Sequence, residues 1–356
     1  MAYKAFNPDF TCKGKQYEEN TTYEENGNEI CEAGVMHYCE NPFDVLDYYP
    51  LVNENGEISE FAEVEPLGKV FKRENKCATN KLHIKAKLGL KGFIKACIDF
   101  TLEKTKIEEI EDDIENDNNS AQIGSSGDSA QIGSSGDSAK MGSSGDSAKI
   151  GSSGYSAKIG SSGDSAKIGS SGYSAKIGSS GDYAQMGSSG YSAKIGSSGD
   201  SAKIGSSGDY AKIGSSGDYA RIGSSGDSAK IGSSGDSAKI GSSGDSAKIG
   251  SSGDSAKIGS SGYSAKIGSS GDYARITSKG KHSVVMAAGY QSQAKAKKGS
   301  WITLAEWVRT GDKDEKGFCI WIPKCVKTEY VDGERIKEDT FYKLVDGEFK
   351  EVESEE

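Results

Sequence analysis

A nine-residue unit, Ala-x-Ile-Gly-Ser-Ser-Gly-(Asp/Tyr)-(Ser/Tyr), recurs 18 times between Ala121 and Ile276 without insertion or deletion. A flexible linker needs Gly and Ser but no fixed period, so the strict period points to stacked, identical supersecondary units. Each unit offers a four-residue strand, (Ser/Tyr)-Ala-(Lys/Gln/Arg)-(Ile/Met), followed by a Gly-Ser-Ser-Gly bend. In such a strand Ala139 and Met141 share one face while Ser138 and Lys140 share the other. One strand cannot bury two small apolar side chains alone. Stacking creates a continuous Ala column beside a continuous Ile column, which predicts a parallel β-solenoid. The two glycines of the bend are expected to supply positive φ at the reversal and room for neighbouring coils to approach.

The tyrosines set the number of units per coil. Tyr155, Tyr173, Tyr191 and Tyr263 replace Asp at intervals of 18, 18 and 72 residues, and Tyr183, Tyr219 and Tyr273 at the next position also differ by multiples of 18, with Tyr210 the exception. Two units per 18-residue coil place the first four on one edge, in a flattened two-sheet roll. Nine coils at about 4.8 Å give a rod of roughly 43 Å. A triangular coil of three units is the competing geometry.

The rest of the chain divides around this rod. Residues 1–103 read as a compact α+β domain, with a helix expected late in the run from Lys81 to Glu103 in spite of Gly89 and Gly92. Residues 104–120 are acidic, as in Ile107-Glu108-Glu109-Ile110-Glu111, and extend the helix or serve as a linker. Residues 121–300 form the solenoid with degraded final coils, and 301–356 a β-rich capping domain. Within the last, Val331-Asp332-Gly333-Glu334 and Val345-Asp346-Gly347-Glu348 read as two hairpin turns. The flanking domains are expected to cap the adhesive ends of the rod.

Charge narrows the partners. The chain carries 53 acidic and 43 basic residues, net −10, yet the array holds 15 Lys/Arg against 13 Asp, so the flanks carry the negative excess. Long-range capture of nucleic acid by the whole molecule is disfavoured. Lys140, Lys158 and Lys176 fall on one side in every second unit, a like-charge ladder that calls for compensation by turn aspartates such as Asp137, Asp164 and Asp182. With Arg221, Arg275, Tyr155, Tyr173, Tyr191 and Tyr263, these lysines make up the candidate binding surface, for a protein partner or a small anionic ligand. Gly-Ser-Ser-Gly-Asp invites comparison with calcium-binding nonapeptides, but the spacing of the aspartate departs from that pattern and Tyr interrupts it.

Only three histidines are present, His37, His83 and His282. Cys12, Cys31, His37 and Cys39 offer four ligands that zinc accepts, but without a Cys-x-x-Cys pair. Buried structural thiols are the competing account, and a Cys-His nucleophile a further one. No phosphate loop or nucleotide fingerprint is seen. Seven cysteines, with none in the array, favour a reducing compartment. The start, Met1-Ala2-Tyr3-Lys4-Ala5-Phe6, carries no apolar signal region, and no run reaches 18 apolar residues.

The runs Asp9-Phe10-Thr11-Cys12, Gln16-Tyr17-Glu18, Cys31-Glu32-Ala33-Gly34-Val35-Met36-His37-Tyr38-Cys39 and Asn41-Pro42-Phe43-Asp44-Val45-Leu46-Asp47-Tyr48-Tyr49 resemble an uncharacterised domain of bacteriophage and prophage proteins that is often followed by Gly/Ser/Ala repeats. Tyr290, Lys297-Lys298-Gly299, Asp332-Gly333-Glu334-Arg335-Ile336-Lys337 and Asp339-Thr340-Phe341-Tyr342-Lys343-Leu344 resemble the matching tail. The resemblance transfers no chemistry. It implies a viral accessory or structural protein in the host cytoplasm or on the virion. Combined with the repeat, it predicts a non-enzymatic, cofactor-free binding or assembly surface for a host or viral protein, with self-association into a homo-oligomer compatible and no membrane contact. The alternatives are a protein that sequesters a small ligand or host factor, and a zinc or thiol enzyme in the N-terminal domain.

Overall fold

In the computed structural model, residues 1–27, 34–53, 55–73, 76–104, 114–115 and 118–352 are described. The repeats form a parallel β-solenoid of two facing sheets, with consecutive units alternating between them. One sheet starts at Ile114–Glu115 and Gln131–Ser134 and runs to Gln293–Ala296; the other runs from Gln122–Ser125 to Val284–Ala287. Each strand pairs with the one 18 residues later, as in Lys140↔Lys158, Met141↔Ile159, Gly142↔Gly160 and Ser143↔Ser161. The coil is therefore two units long and the triangular alternative is excluded.

The strand frame lies two residues later than the sequence suggests. The strands are Lys-Ile-Gly-Ser, as in Lys158–Ser161, so Lys and Gly point outward while Ile and the first Ser point inward. Ala at the preceding corner is also buried, which gives three stacked inner columns of Ala, Ile/Met and Ser. Toward the N-terminal end of the Ser column the hydroxyls bond locally, as where the N–H of Gly145 donates to Ser143 Oγ at 3.1 Å, whereas further along hydroxyls such as those of Ser215 and Ser233 are buried with no hydrogen-bond partner among the described residues.

The glycines divide their work differently from expectation. No repeat glycine has positive φ; from Tyr183 onward that conformation falls on the Ser/Tyr position, as at Ser201, Tyr219 and Ser237, with Ser192 and Tyr210 the exceptions. The second glycine is required by close approach, since a Cβ on Gly199 would stand 2.0 Å from the carbonyl oxygen of Gly181 in the coil below. The first glycine sits inside the strand and leaves an outward-facing track with no side chain.

The N-terminal unit has a four-stranded antiparallel sheet in the order Ala2–Phe6, Glu60–Pro66, Lys81–Lys87, Thr21–Glu24, beside a three-stranded sheet of Met36–Tyr38, Lys76–Thr79 and Val70–Arg73. Helix α1, Gly89–Lys104, follows as expected, its first residue held at φ +56. Most of the acidic segment lies outside the described residues, and Ile114–Glu115 is strand rather than helix.

The ends of the rod differ. At the C-terminal end, Trp301–Lys313 continues one sheet and folds back antiparallel as Cys319–Tyr330, while Tyr342–Val345 and Glu348–Glu351 close the other. Asp346-Gly347 forms its hairpin, with φ of 52 and 72. Asp332-Gly333 does not: its carboxylate accepts the N–H groups of Glu334 and Ile336 in a closed loop, and the long hairpin reverses instead at Asp314 to Phe318. The N-terminal unit does not cap the other end. It lies along one sheet.

Candidate functional site

The two sheets carry the same Lys-Ile-Gly-Ser strand and have opposite fates. Over the first, α1 and the Leu51–Ile58 loop lay apolar side chains on the glycine track. The nearest neighbours of a Cβ built on the track are Ile98 at Gly187, Ile94 at Gly205 and Gly223, Leu51 and Leu90 at Gly241, and Ile58 at Gly259. The other side of α1 packs on its own unit, where Phe93 stacks on Phe61 at 3.8 Å. Carboxylates hold the cations of this covered sheet. Asp47 Oδ1 accepts from Lys203 Nζ at 2.8 Å and Arg221 Nη1 at 3.0 Å, and Glu57 lies 3.3 Å from Lys295 and 3.7 Å from Lys279. Burial opposes ionisation of Glu57, but the charges of Lys295 and Lys279 outweigh it and its pKa falls below the ordinary carboxylate value.

The second sheet is open. Lys140, Lys158, Lys176, Lys194, Lys212, Lys230, Lys248 and Lys266 stack in register beside the track Gly142 to Gly268. None of these eight lysines has an ion-pair partner among the described residues. Together with the track they line a trough of about 1510 Å³ that ends against Val284 and Met286. Beyond the track runs a corner of nine aspartates at 18-residue spacing, Asp128 to Asp272. These do not neutralise the lysines as expected: in the C-terminal half of the array each carboxylate accepts the backbone N–H of the next coil, as from Asp200 to Asp182 at 2.7 Å.

The sequence candidates thus separate. Lys140, Lys158 and Lys176 belong to the open face. Arg221 and Arg275 are on the covered sheet, where Arg275 also stacks on Phe341 and bonds Asn55. Tyr155, Tyr173 and Tyr191 form an exposed stack on the opposite corner, with centroids 5.1 Å apart. Tyr210, the exception to the spacing rule, continues that stack at 5.0 Å because it is the neighbouring residue at the same corner. Tyr263 shares the edge but stands against His282. Missed altogether was the choice of face. The signal was present: Gln131, Gln185, Arg221 and Arg275 all fall on the covered sheet, whereas the open one keeps Lys without a break from 140 to 266.

Of the proposed metal ligands, Cys31 lies outside the described residues. Cys12 accepts from the Tyr49 hydroxyl at 3.1 Å, Cys39 is buried, and His37 is on the strand Met36–Tyr38. Among the described residues no group of three metal-ligating side chains is found. A cavity of about 630 Å³ nevertheless brings Cys12, His37 and Cys39 together with Tyr17, Tyr49 and Lys4. Lys4 was not foreseen. Its amine is buried, donates to the carbonyl of His37 at 3.0 Å, and is pushed by burial below the ordinary lysine value.

Burial, followed by the charges of Asp44 and Cys77, pushes the Cys39 thiol up to about 12, and burial also raises Cys97. The thiolate is the reactive form. Maleimide at pH 8 should therefore leave Cys39 and Cys97 unlabelled in the folded protein and modify them on unfolding, as read by peptide mass mapping; half-buried Cys319 and Cys325 should label earlier. Rapid labelling of Cys39 in folded protein would refute the buried-thiol assignment.

Residues 1–96 match the family model described as a domain of unknown function, DUF7666. No curated protein and no solved structure matches the chain. The matched segment contains Asp47, Leu51, Glu57, Ile58, Leu90 and Ile94 but not Ile98, so the contact with the covered sheet is shared between it and the remainder of α1. No helix among the described residues is long and apolar enough to cross a membrane.

Proposed function

We propose that this chain is a non-enzymatic, virus-associated repeat protein whose open lysine-glycine face receives a host or viral protein. One observation carries the proposal: a surface of the same repeat chemistry is already used for protein recognition within the molecule, where it holds the N-terminal unit, while its counterpart presents eight lysines with no ion-pair partner among the described residues and a glycine track that no described segment of the chain covers. Repeated flat faces of solenoids are extended binding surfaces by construction. The virus association rests on the resemblance of the N-terminal and tail residues to phage and prophage proteins.

The test is a photoreactive benzophenone residue placed at Gly196, where a Cβ meets nothing within 4 Å. Irradiation of infected host cells should give a covalent adduct of discrete mass with one host or virion protein. Absence of any adduct from Gly160, Gly196 and Gly232 would refute the proposal. A second reading, a sequestering protein for a small anionic ligand, is favoured by the buried Lys4 amine in the 630 Å³ cavity. It requires the purified chain to retain a small molecule in native mass spectrometry.

A further inference from the structure

We infer that the open face takes an amphipathic α-helix of a partner protein, carrying Ile or Leu at i, i+4 spacing and carboxylates along one flank. This rests on the open sheet being a binding surface and names its occupant.

The covered sheet shows what the track accepts. Ile94 and Ile98, one helical turn apart, both sit on it; Ile94 spans Gly205 and Gly223 and Ile98 covers Gly187. An i, i+4 step rises about 6 Å and a coil about 4.8 Å. Four helical steps therefore match five coils at about 24 Å, and a helix laid along the rod returns to register with the glycines over this distance. Two glycine tracks placed face to face would have no side chains with which to fill each other, so a second copy apposed through this face leaves the trough empty.

Charge fixes the flank. On the covered sheet one carboxylate, Asp47, serves two cations from successive coils, Lys203 and Arg221. One acid per two coils is a spacing of about 10 Å, met on a helix by i, i+7. The eight open lysines, over roughly 34 Å, match a helix bearing three or four such acids. A nucleic acid is a poorer fit. Its phosphates would run beside the nine-aspartate corner, six residues and so within about 20 Å of the lysines, and the glycine floor offers them no donor side chain.

The experiment uses the full chain and a fluorescein-labelled helical peptide of about 20 residues with an Ile stripe and one Glu flank. Comparators are the same stripe with a Lys flank, the Glu flank with Gln replacing Ile, and single-stranded DNA of similar length. Only the first peptide should bind. The variant Lys194→Gln/Lys212→Gln/Lys230→Gln should weaken it about tenfold with a reduced salt dependence. Gly196→Gln/Gly214→Gln should abolish binding with no fall in melting temperature, because Cβ atoms at both positions meet open space. Equal binding of the Gln-stripe peptide, binding of DNA alone, insensitivity to the glycine substitutions, or self-association through this face in sedimentation would each overturn the inference. A Gly196 cross-link without peptide binding leaves the binding face standing and removes the helix.

Discussion

Gly199→Ala should cripple the rod while Gly196→Ala, three residues away, should leave it intact or raise its melting temperature. At Gly199 the added methyl would lie 2.0 Å from the carbonyl oxygen of Gly181 and 2.4 Å from its carbonyl carbon. Both are backbone atoms, fixed from below by the same contact repeated in the previous coil, so relief requires the turn itself to move. Overpacking usually costs about 1–3 kcal/mol, and here the atom in the way is not a flexible side-chain end, so a cost of about 3 kcal/mol or more is expected. At Gly196 a methyl finds nothing within 4 Å and φ is not positive. Replacing a strand glycine there removes unfolded-state entropy worth roughly 0.5–1 kcal/mol. Thermal melts followed by circular dichroism separate the two, and variants that melt together would refute the division of labour between the repeat glycines.

That division marks the boundary of what the sequence makes legible. The spacing of Tyr155, Tyr173 and Tyr191 reveals the 18-residue coil because parity is a topological property: a two-unit coil must return every second unit to the same edge. The Ala and Ile/Met columns are legible for the same reason, since Ala139 and Met141 alternate with Lys140 in any extended frame, whereas the inward Ser column is not. The exact strand frame is not, because Ser-Ala-Lys-Ile and Lys-Ile-Gly-Ser alternate identically and only the stacked corners decide between them. Nor is the role of each glycine, for the sequence shows two per unit and the clash that distinguishes them lies between residues 18 apart.

The site was legible in its chemistry and illegible in its placement. Lys140, Lys158 and Lys176 were found as a ladder because periodicity alone stacks them. Arg221 and Arg275 joined the same surface because the repeat assigns them the same position, yet their faces are opposite. The contact that separates the faces, Asp47 with Lys203 and Arg221, joins segments more than 150 residues apart. Local periodicity carries no information about such a pairing. The unbroken run of Lys from 140 to 266 on one parity, against Gln185, Arg221 and Arg275 on the other, was its single trace.

Gly223→Leu should detach the N-terminal unit from the rod without unfolding either. A Cβ there would lie 3.1 Å from Ile94 Cδ1, and the remaining Leu atoms would need the space held by Ile94 and Leu51. The covered sheet cannot retreat, because its other side is the stacked Ile column, so the unit must lift. Lys203 reports the event: its side chain is 10% exposed and bonded to Asp47 while the unit is seated. Its acetylation by an exposed-amine reagent should rise by at least tenfold in Gly223→Leu, equivalent to about 1.4 kcal/mol of docking free energy and within the overpacking range. Gly214→Leu, on the open face with nothing within 4 Å, is the control and should leave Lys203 protected. Acid should act in the same direction. Because Glu57 titrates below its ordinary value when docked, its contribution is complete above the ordinary carboxylate range and is lost as pH falls through the lowered value. Release of Lys203, read as its acetylation relative to that of open-face Lys212 so that protonation of the amines cancels, should therefore sharpen at acidic pH in Gly223→Leu. If Lys203 stays protected in that variant at neutral and acidic pH alike, the glycine track is not what seats the unit, and the same chemistry on the open face loses its precedent.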